Sequence, residues 1–170
     1  MNQEEEIINK VANSGLENIN LENFYPEGER VLIDLKHQLY EELILREKDF
    51  RNYIQNENWE SYTGKFVAIT CTADAVIPLW AYMLVANSLE PFAAKIHFGN
   101  LEQLEIELFK DAISKIDVNI YADKRVLVNG CSNKPVPASA FLDITLKLKP
   151  VVKSIMFGEA CSAVPVFKKK

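Results

Sequence analysis

Between Lys65 and Phe157 short apolar runs alternate with longer stretches of helical period, and this alternation constrains the fold more than any other feature of the chain. Phe66-Val67-Ala68-Ile69-Thr70, Lys95-Ile96-His97-Phe98, Arg125-Val126-Leu127-Val128-Asn129 and Val152-Lys153-Ser154-Ile155-Met156-Phe157 are short and rich in β-formers, and Gly99 and Gly158 end two of them. Residues Ala75 to Leu89 have helical length and are apolar almost all round, as in a helix buried on several sides. Leu101 to Lys115 is amphipathic, and Pro137 opens a third helical stretch through Phe141, Ile144, Leu146 and Leu148. Strands alternating with helices return by right-handed crossovers to parallel neighbours. The order therefore predicts a three-layer α/β domain, with a mainly parallel sheet of four to five strands and helices on both faces. The earlier run Arg30-Val31-Leu32-Ile33-Asp34-Leu35, introduced by Gly28, joins an edge of that sheet.

The N-terminal third is less regular. Ile7, Ile8 and Val11 share one face of a predicted helix over Glu4 to Asn13, with Gly15 as its C-cap. Leu39, Leu43, Phe50, Tyr53 and Ile54 suggest two short helices or one bent helix, and residues 56–64 form a polar connector with Trp59 and Tyr62. The expected organisation is one domain over residues 1–170, with residues 1–60 wrapping a βαβαβαβ core at 65–160. A chain of 170 residues can bury such a core without staples. The net charge of −5 argues against a nucleic-acid binder, which needs a basic face. Lys168-Lys169-Lys170 reads as a solvated tail. The longest apolar stretch, Ala75 to Ala86, is short of the ~20 residues a membrane span needs. Met1 to Glu6 lacks a signal-peptide pattern, so a cytoplasmic protein is expected.

The chemistry-bearing residues are the three cysteines, each in a similar phrase: Cys71-Thr72-Ala73-Asp74-Ala75-Val76-Ile77-Pro78, Cys131-Ser132-Asn133-Lys134-Pro135-Val136-Pro137 and Cys161-Ser162-Ala163-Val164-Pro165. Each follows a predicted strand. If those strands run parallel in one sheet, all three thiols leave its carboxyl edge, where ligands bind in open α/β sheets. Cys71 and Cys131 also precede helices, whose N-terminal N–H groups favour a thiolate. Three thiolates with an open position suit zinc or an iron–sulfur cluster. Asp74, Glu159 or His97 can complete the set, and Lys134 can steer an anion or stabilise thiolates. Asp74 is better read as a cap of the following helix, and His97 as an ordinary strand residue.

Two rival readings stand beside the metal site. Cys131 can act as the nucleophile of a thiol-dependent enzyme, since Gly130 lets the backbone approach a ligand. Alternatively the cysteines only pack, as small hydrophobes, in a non-catalytic adaptor. Asp34 is either a functional carboxylate or a charge that protects an edge strand. Trp59, Trp80 and Tyr82 read as core or cover.

The phrases Gly28-Glu29-Arg30-Val31-Leu32, Glu47-Lys48-Asp49-Phe50-Arg51, Cys71-Thr72-Ala73-Asp74-Ala75, Trp80-Ala81-Tyr82-Met83, Gly130-Cys131-Ser132-Asn133-Lys134-Pro135-Val136-Pro137 and Lys153-Ser154-Ile155-Met156-Phe157-Gly158-Glu159 resemble a bacterial family of domains of unknown function, number 2480. The resemblance covers almost the whole chain and carries no assigned activity. It implies a genomic neighbourhood of iron–sulfur assembly genes. It therefore tilts the reading from zinc towards a cluster that is assembled or transferred, with iron–sulfur assembly proteins as partners.

Overall fold

The structure is a computed structural model, and it describes residues 15–130 and 133–170. The helix expected over Glu4 to Asn13 lies outside the described residues. Among those described, four α-helices and seven β-strands alternate in an α/β arrangement. No helix among them is long and apolar enough to cross a membrane.

The strands divide between two sheets, whereas the sequence reading placed them in one. β1 (Leu16–Asn20), β5 (Arg125–Asn129), β6 (Ser154–Phe157) and β7 (Val164–Lys168) form one sheet in the order β1-β5-β6-β7. Its first three strands are parallel and β7 is antiparallel. β2 (Arg30–Asp34), β3 (Phe66–Thr70) and β4 (Lys95–Phe98) form a second sheet, in that order and all parallel. The local pattern of a strand specifies its faces but not its neighbour, and pairing with β1 and β2 decides which sheet β5 and β3 enter.

The chain correspondingly forms two compact units, Glu27–Leu108 and Met1–Pro26 with Phe109–Lys170. We call the first the inserted unit and the second the host unit. Of residues 1–60, β1 pairs in the host sheet, whereas β2 and α1 (Glu47–Asn56) belong to the inserted unit.

In the inserted unit, alternation along β3 sends Val67 and Ile69 to one face of the sheet and Phe66 and Ala68 to the other. The first face packs on Phe50 of α1 and on Ala81, Val85 and Leu89 of α2 (Leu79–Leu89). Trp59 and Tyr62 lie against this cluster, and the Trp59 indole donates to the Ile54 carbonyl at 2.8 Å. On the second face Ala68 meets Leu104 and Leu108 of α3 (Leu101–Ser114). Arg30 donates twice to Glu105 of that helix, at 2.9 Å through both Nε and Nη2, and so fixes β2 to α3. In the host unit, Val126, Val128 and Ile155 pack on Ala140, Ile144 and Leu148 of α4 (Ala138–Leu148), with Ile19, Leu21, Phe109 and Ile113 completing the cluster.

The two units repeat one another. β3 and β5 start at Phe66 and Arg125, α2 and α4 at Leu79 and Ala138, and β4 and β6 end at Phe98 and Phe157: a constant spacing of 59 residues (125 − 66, 138 − 79, 157 − 98). Hydrogen bonds repeat at the same spacing. Gly64 N donates to Phe92 O at 2.9 Å and Asp123 N to Val151 O at 2.8 Å. Gly99 N donates to Ile69 O at 2.9 Å and Gly158 N to Val128 O at 3.0 Å. The leading strands match too. Asn20 at the end of β1 and Asp34 at the end of β2 each accept a backbone N–H two residues on, and each is followed by a fully buried leucine, Leu21 and Leu35.

Three other expectations change locally. α2 begins at Leu79, not Ala75, because Pro78 disfavours helical backbone in the residue before it. Strand β7 follows the run that was expected to be last. The terminal lysines are exposed as expected, but the first two are not frayed: Lys168 ends β7, and Lys169 N donates to Lys153 O at 2.9 Å.

Gly64 and Asp123 are equivalent and both left-handed, at φ 72° and 54°. A Cβ at Gly64 meets nothing within 4 Å, so only the backbone resists substitution there. Gly64→Ala should therefore cost about 1–2 kcal/mol in urea unfolding, and Gly64→Asn less, because Asn tolerates this region.

Candidate functional site

Ligand sites in parallel sheets form where the strands end. In the inserted unit, Asp34 organises this edge. Its Oδ1 accepts from Lys36 N at 3.0 Å and Thr72 N at 3.1 Å, and its Oδ2 accepts the Thr72 hydroxyl at 2.5 Å. Lys36 Nζ lies 3.5 Å from Oδ2, and the Asp34 side chain is only 10% exposed. Burial by itself raises the pKa of this carboxyl, but the Thr72 hydroxyl, the two backbone donors and the Lys36 charge together hold it below the usual 3.8. With its oxygens engaged, Asp34 ties the loop after β3 to the turn after β2. That is a structural task, and β2 is also an edge strand of its sheet, the setting in which the sequence allows a protective charge.

Beside it lies a polar cavity of about 490 Å³ lined by Lys36, His37, Leu39, Glu42, Thr72 and Ala73. Glu41 and Glu42 both have positive φ, 50° and 59°, in a tight turn closed by Tyr40 N donating to Ile44 O at 2.8 Å. The Arg46 guanidinium stacks on the Tyr40 ring at the base of that turn. Cys71 is half-buried against the apolar cluster, with Sγ 3.9 Å from the Ala73 carbonyl. Burial raises the pKa of Tyr82 above the usual phenol value, and the neighbouring Asp34 carboxylate adds to it. Asp74 is exposed within the loop. It does not cap α2, whose N-cap is Pro78 without a side-chain hydrogen bond.

The host unit builds its edge from amides. Asn20 Oδ1 accepts from Glu22 N at 2.9 Å, and the buried Glu22 carboxylate accepts from Asn133 N at 2.9 Å. Glu22 thus holds the loop after β5, as Asp34 holds the loop after β3. Lys134 Nζ stands 4.9 Å over the Tyr25 ring. Asn129 Oδ1 and Ser139 Oγ are buried without a hydrogen-bond partner among the described residues. Cys131 lies outside the described residues, in the segment joining β5 to α4. Cys161 is exposed between β6 and β7, beside the exposed Glu159, whose carbonyl accepts from Ser162 N at 2.9 Å.

The structure therefore distributes the expected ligands over two sheets. Cys71 leaves the sheet of the inserted unit. Cys161 follows β6 in the host sheet, and β5, which leads to Cys131, is its parallel neighbour there. His97 sits within β4, as an ordinary strand residue does. No three of His, Cys, Asp and Glu come together as a metal-holding group among the described residues. The cysteine phrases also differ in register. At the repeat spacing Cys71 matches Gly130 and Thr72 matches Cys131 (130 − 71 = 131 − 72 = 59). The Asp34–Thr72 and Glu22–Asn133 tethers escaped the sequence reading. Their only local signal is a polar residue before leucine at the end of the leading strand, in Asn20-Leu21 and Asp34-Leu35.

A carboxyl whose folded pKa is depressed stabilises the fold above its unfolded pKa, and that stability is lost as pH falls through the folded value. Thr72→Val removes the strongest donor to Asp34. The variant should be less stable to urea than the wild type above about pH 5, and the difference should narrow as acidification protonates Asp34, because the variant has less carboxylate stabilisation to lose. Coincident acid profiles would show that the tether contributes nothing.

No curated protein and no solved structure matches the chain. The family described as protein of unknown function, DUF2480, matches residues 5–169, and the chain belongs to it.

Proposed function

We propose that this protein holds a soft metal ion or an iron–sulfur cluster through cysteine thiolates, in a role of cluster assembly or transfer rather than catalysis. One observation carries the reading. β5 and β6 are parallel neighbours, so the loops that follow them, with Cys131 and Cys161, leave the same edge of one sheet. Adjacent strands are ~4.8 Å apart, within reach of a shared ion or cluster. Glu159 and Lys134 belong to the same two loops and can supply an oxygen ligand and a compensating charge. Free thiols suit a reducing compartment such as the cytoplasm. Iron–sulfur assembly proteins are the partners that this reading requires.

A second reading, the adaptor, is favoured by the half-buried packing of Cys71 and by exposed apolar side chains on both units, among them Met83 and Phe98, and Leu142 and Leu146. Metal and acid-labile sulfide analysis after anaerobic purification and reconstitution separates the two. The thiolate reading expects Cys131→Ser and Cys161→Ser each to lose bound metal by at least about 10-fold, the scale on which even supporting residues act. Cys71→Ser tests the third thiolate by itself: metal content equal to the wild type removes it from the ligand set. Zinc without sulfide selects a zinc site, and a wild-type protein that takes up neither metal leaves the adaptor.

A further inference from the structure

The internal repeat breaks at one place. In the host unit β6 has a strand on each side, β5 and the antiparallel β7. Its equivalent β4 has a strand on one side only, β3, among the described residues. The side chains around that open edge register the difference. Ile155 of β6 is 1% exposed, and its counterpart Ile96 is only partly buried. Phe157 is 41% exposed and its counterpart Phe98 is 70% exposed, although each ring makes the same edge-on contact with its helix, Phe157 with Phe141 and Phe98 with Tyr82. α2 meets this edge through Tyr82, and on the same helix Leu79 and Met83, one turn apart, are 78% and 69% exposed, as Leu142, the counterpart of Met83, is at 63%. A solitary exposed apolar residue needs no explanation, but a helix face continuous with an open sheet edge marks an interaction surface.

We propose that a second copy of this chain fills the vacant strand position, with β4 pairing antiparallel to β4 of its partner about a two-fold axis and α2 packing on α2. The host unit specifies what the position takes: an antiparallel strand that sets Phe167 opposite Ile155 and Val164 opposite Phe157. β4 meets this demand with its own sequence. A two-fold centred on His97 places Ile96 opposite Phe98 of the second copy, and Phe98 opposite its Ile96, on the face that carries α2. Both sheets then have aromatic residues facing β-branched ones, the favoured cross-strand combination. The same register sets Lys95 opposite Gly99, so no lysines oppose one another. On the other face Lys95 reaches Glu107 at 3.8 Å within its own chain. A two-fold contact is self-complementary by construction, and closing the edge this way ends strand addition at two chains. The surface is modest. α2 and β4 together have 15 residues, of which Ala81, Val85 and Leu89 are buried in the unit's own core, against about 20–30 a side in a standard interface, so association in the micromolar range is expected.

Sedimentation equilibrium of the full chain tests this, in reductant and chelator so that no thiol- or metal-bridged species registers. The thiolate proposal is thereby left untouched by either result. The expected outcome is a monomer–dimer equilibrium between about 1 and 100 µM. Phe98→Asp and, separately, Met83→Asp should weaken it at least about 100-fold, with far-UV circular dichroism unchanged. Leu142→Asp, on the host unit, should leave it intact. Three results overturn the proposal: a wild type that stays monomeric at about 100 µM, a dimer that survives Phe98→Asp and Met83→Asp but is lost in Leu142→Asp, or a monomer that dimerises only when residues 1–14 are removed, which would make the chain's own N-terminal segment the occupant.

Discussion

A stripe of three residues, small then larger, laid across a parallel strand pair is the interaction on which the rest of the structure depends. In the inserted unit it is Ala81, Val85 and Leu89; in the host unit it is Ala140, Ile144 and Leu148, and all six are fully buried. The spacing of four keeps them on one helix face. The alanine lets the first turn approach the sheet, and the branched residues fill the widening gap. Each of the larger ones contributes about 1.5–3 kcal/mol of apolar burial. Proline at the N-cap fixes the entry in both helices, and Pro78 O and Pro137 O each accept at 2.9 Å from the first stripe alanine. With entry, length and stripe all equal, the helix delivers the chain to the next strand at the same place in each unit.

Around this shared frame the polar edges differ because different residues perform the same mechanical task. A loop leaving a strand towards a helix carries backbone N–H groups that must find acceptors. In the inserted unit the carboxylate that ends β2 supplies them; in the host unit a carboxylate two residues further on does so, while the strand-end residue is Asn20. Moving the charge off the strand end leaves the host edge lined by neutral amides and a buried glutamate. The inserted edge instead concentrates Asp34, Lys36, His37 and Glu42 beside one cavity. The same fold therefore presents two chemically distinct edges.

The sequence disclosed the frame better than the edges. Alternating runs from Phe66 to Phe157 gave the α/β class, the parallel direction and three of the four helices, because burial on both faces makes such strands continuously apolar. Other elements were hidden for identifiable reasons. Leu16–Asn20 has only Leu16 and Ile19 as apolar residues, a spacing of three that no strand period produces, and it becomes a strand through its register with β5. Val164–Lys168 contains Pro165, which a central strand excludes; it is tolerated in an edge strand, where the ladder shifts register between Ile155 and Met156. The two-sheet division is a property of pairing, and no single run records it. The repeat itself lies in buried positions 59 residues apart (140 − 81, 144 − 85, 148 − 89), identical at Ala81 and Ala140 and at Leu89 and Leu148 but flanked by unrelated surface residues, so no contiguous phrase records it.

That register also explains why the cysteines cannot be equivalent. At the position of Cys71 the host unit has Gly130, with φ 133°. A Cβ there would stand 2.9 Å from Leu21 N and 3.0 Å from Leu21 Cβ, and Leu21 is fully buried in the core. No thiol can occupy that site without displacing the leucine that anchors the leading strand. In the inserted unit the matching position has room, and Cys71 turns its sulfur into the apolar cluster behind the edge. The host cysteine falls one residue later, and Cys161 follows the other strand of that same edge. Similar phrases thus arise in dissimilar surroundings. Cys71 is half-buried against that cluster, whereas Cys161 is exposed on the loop between β6 and β7.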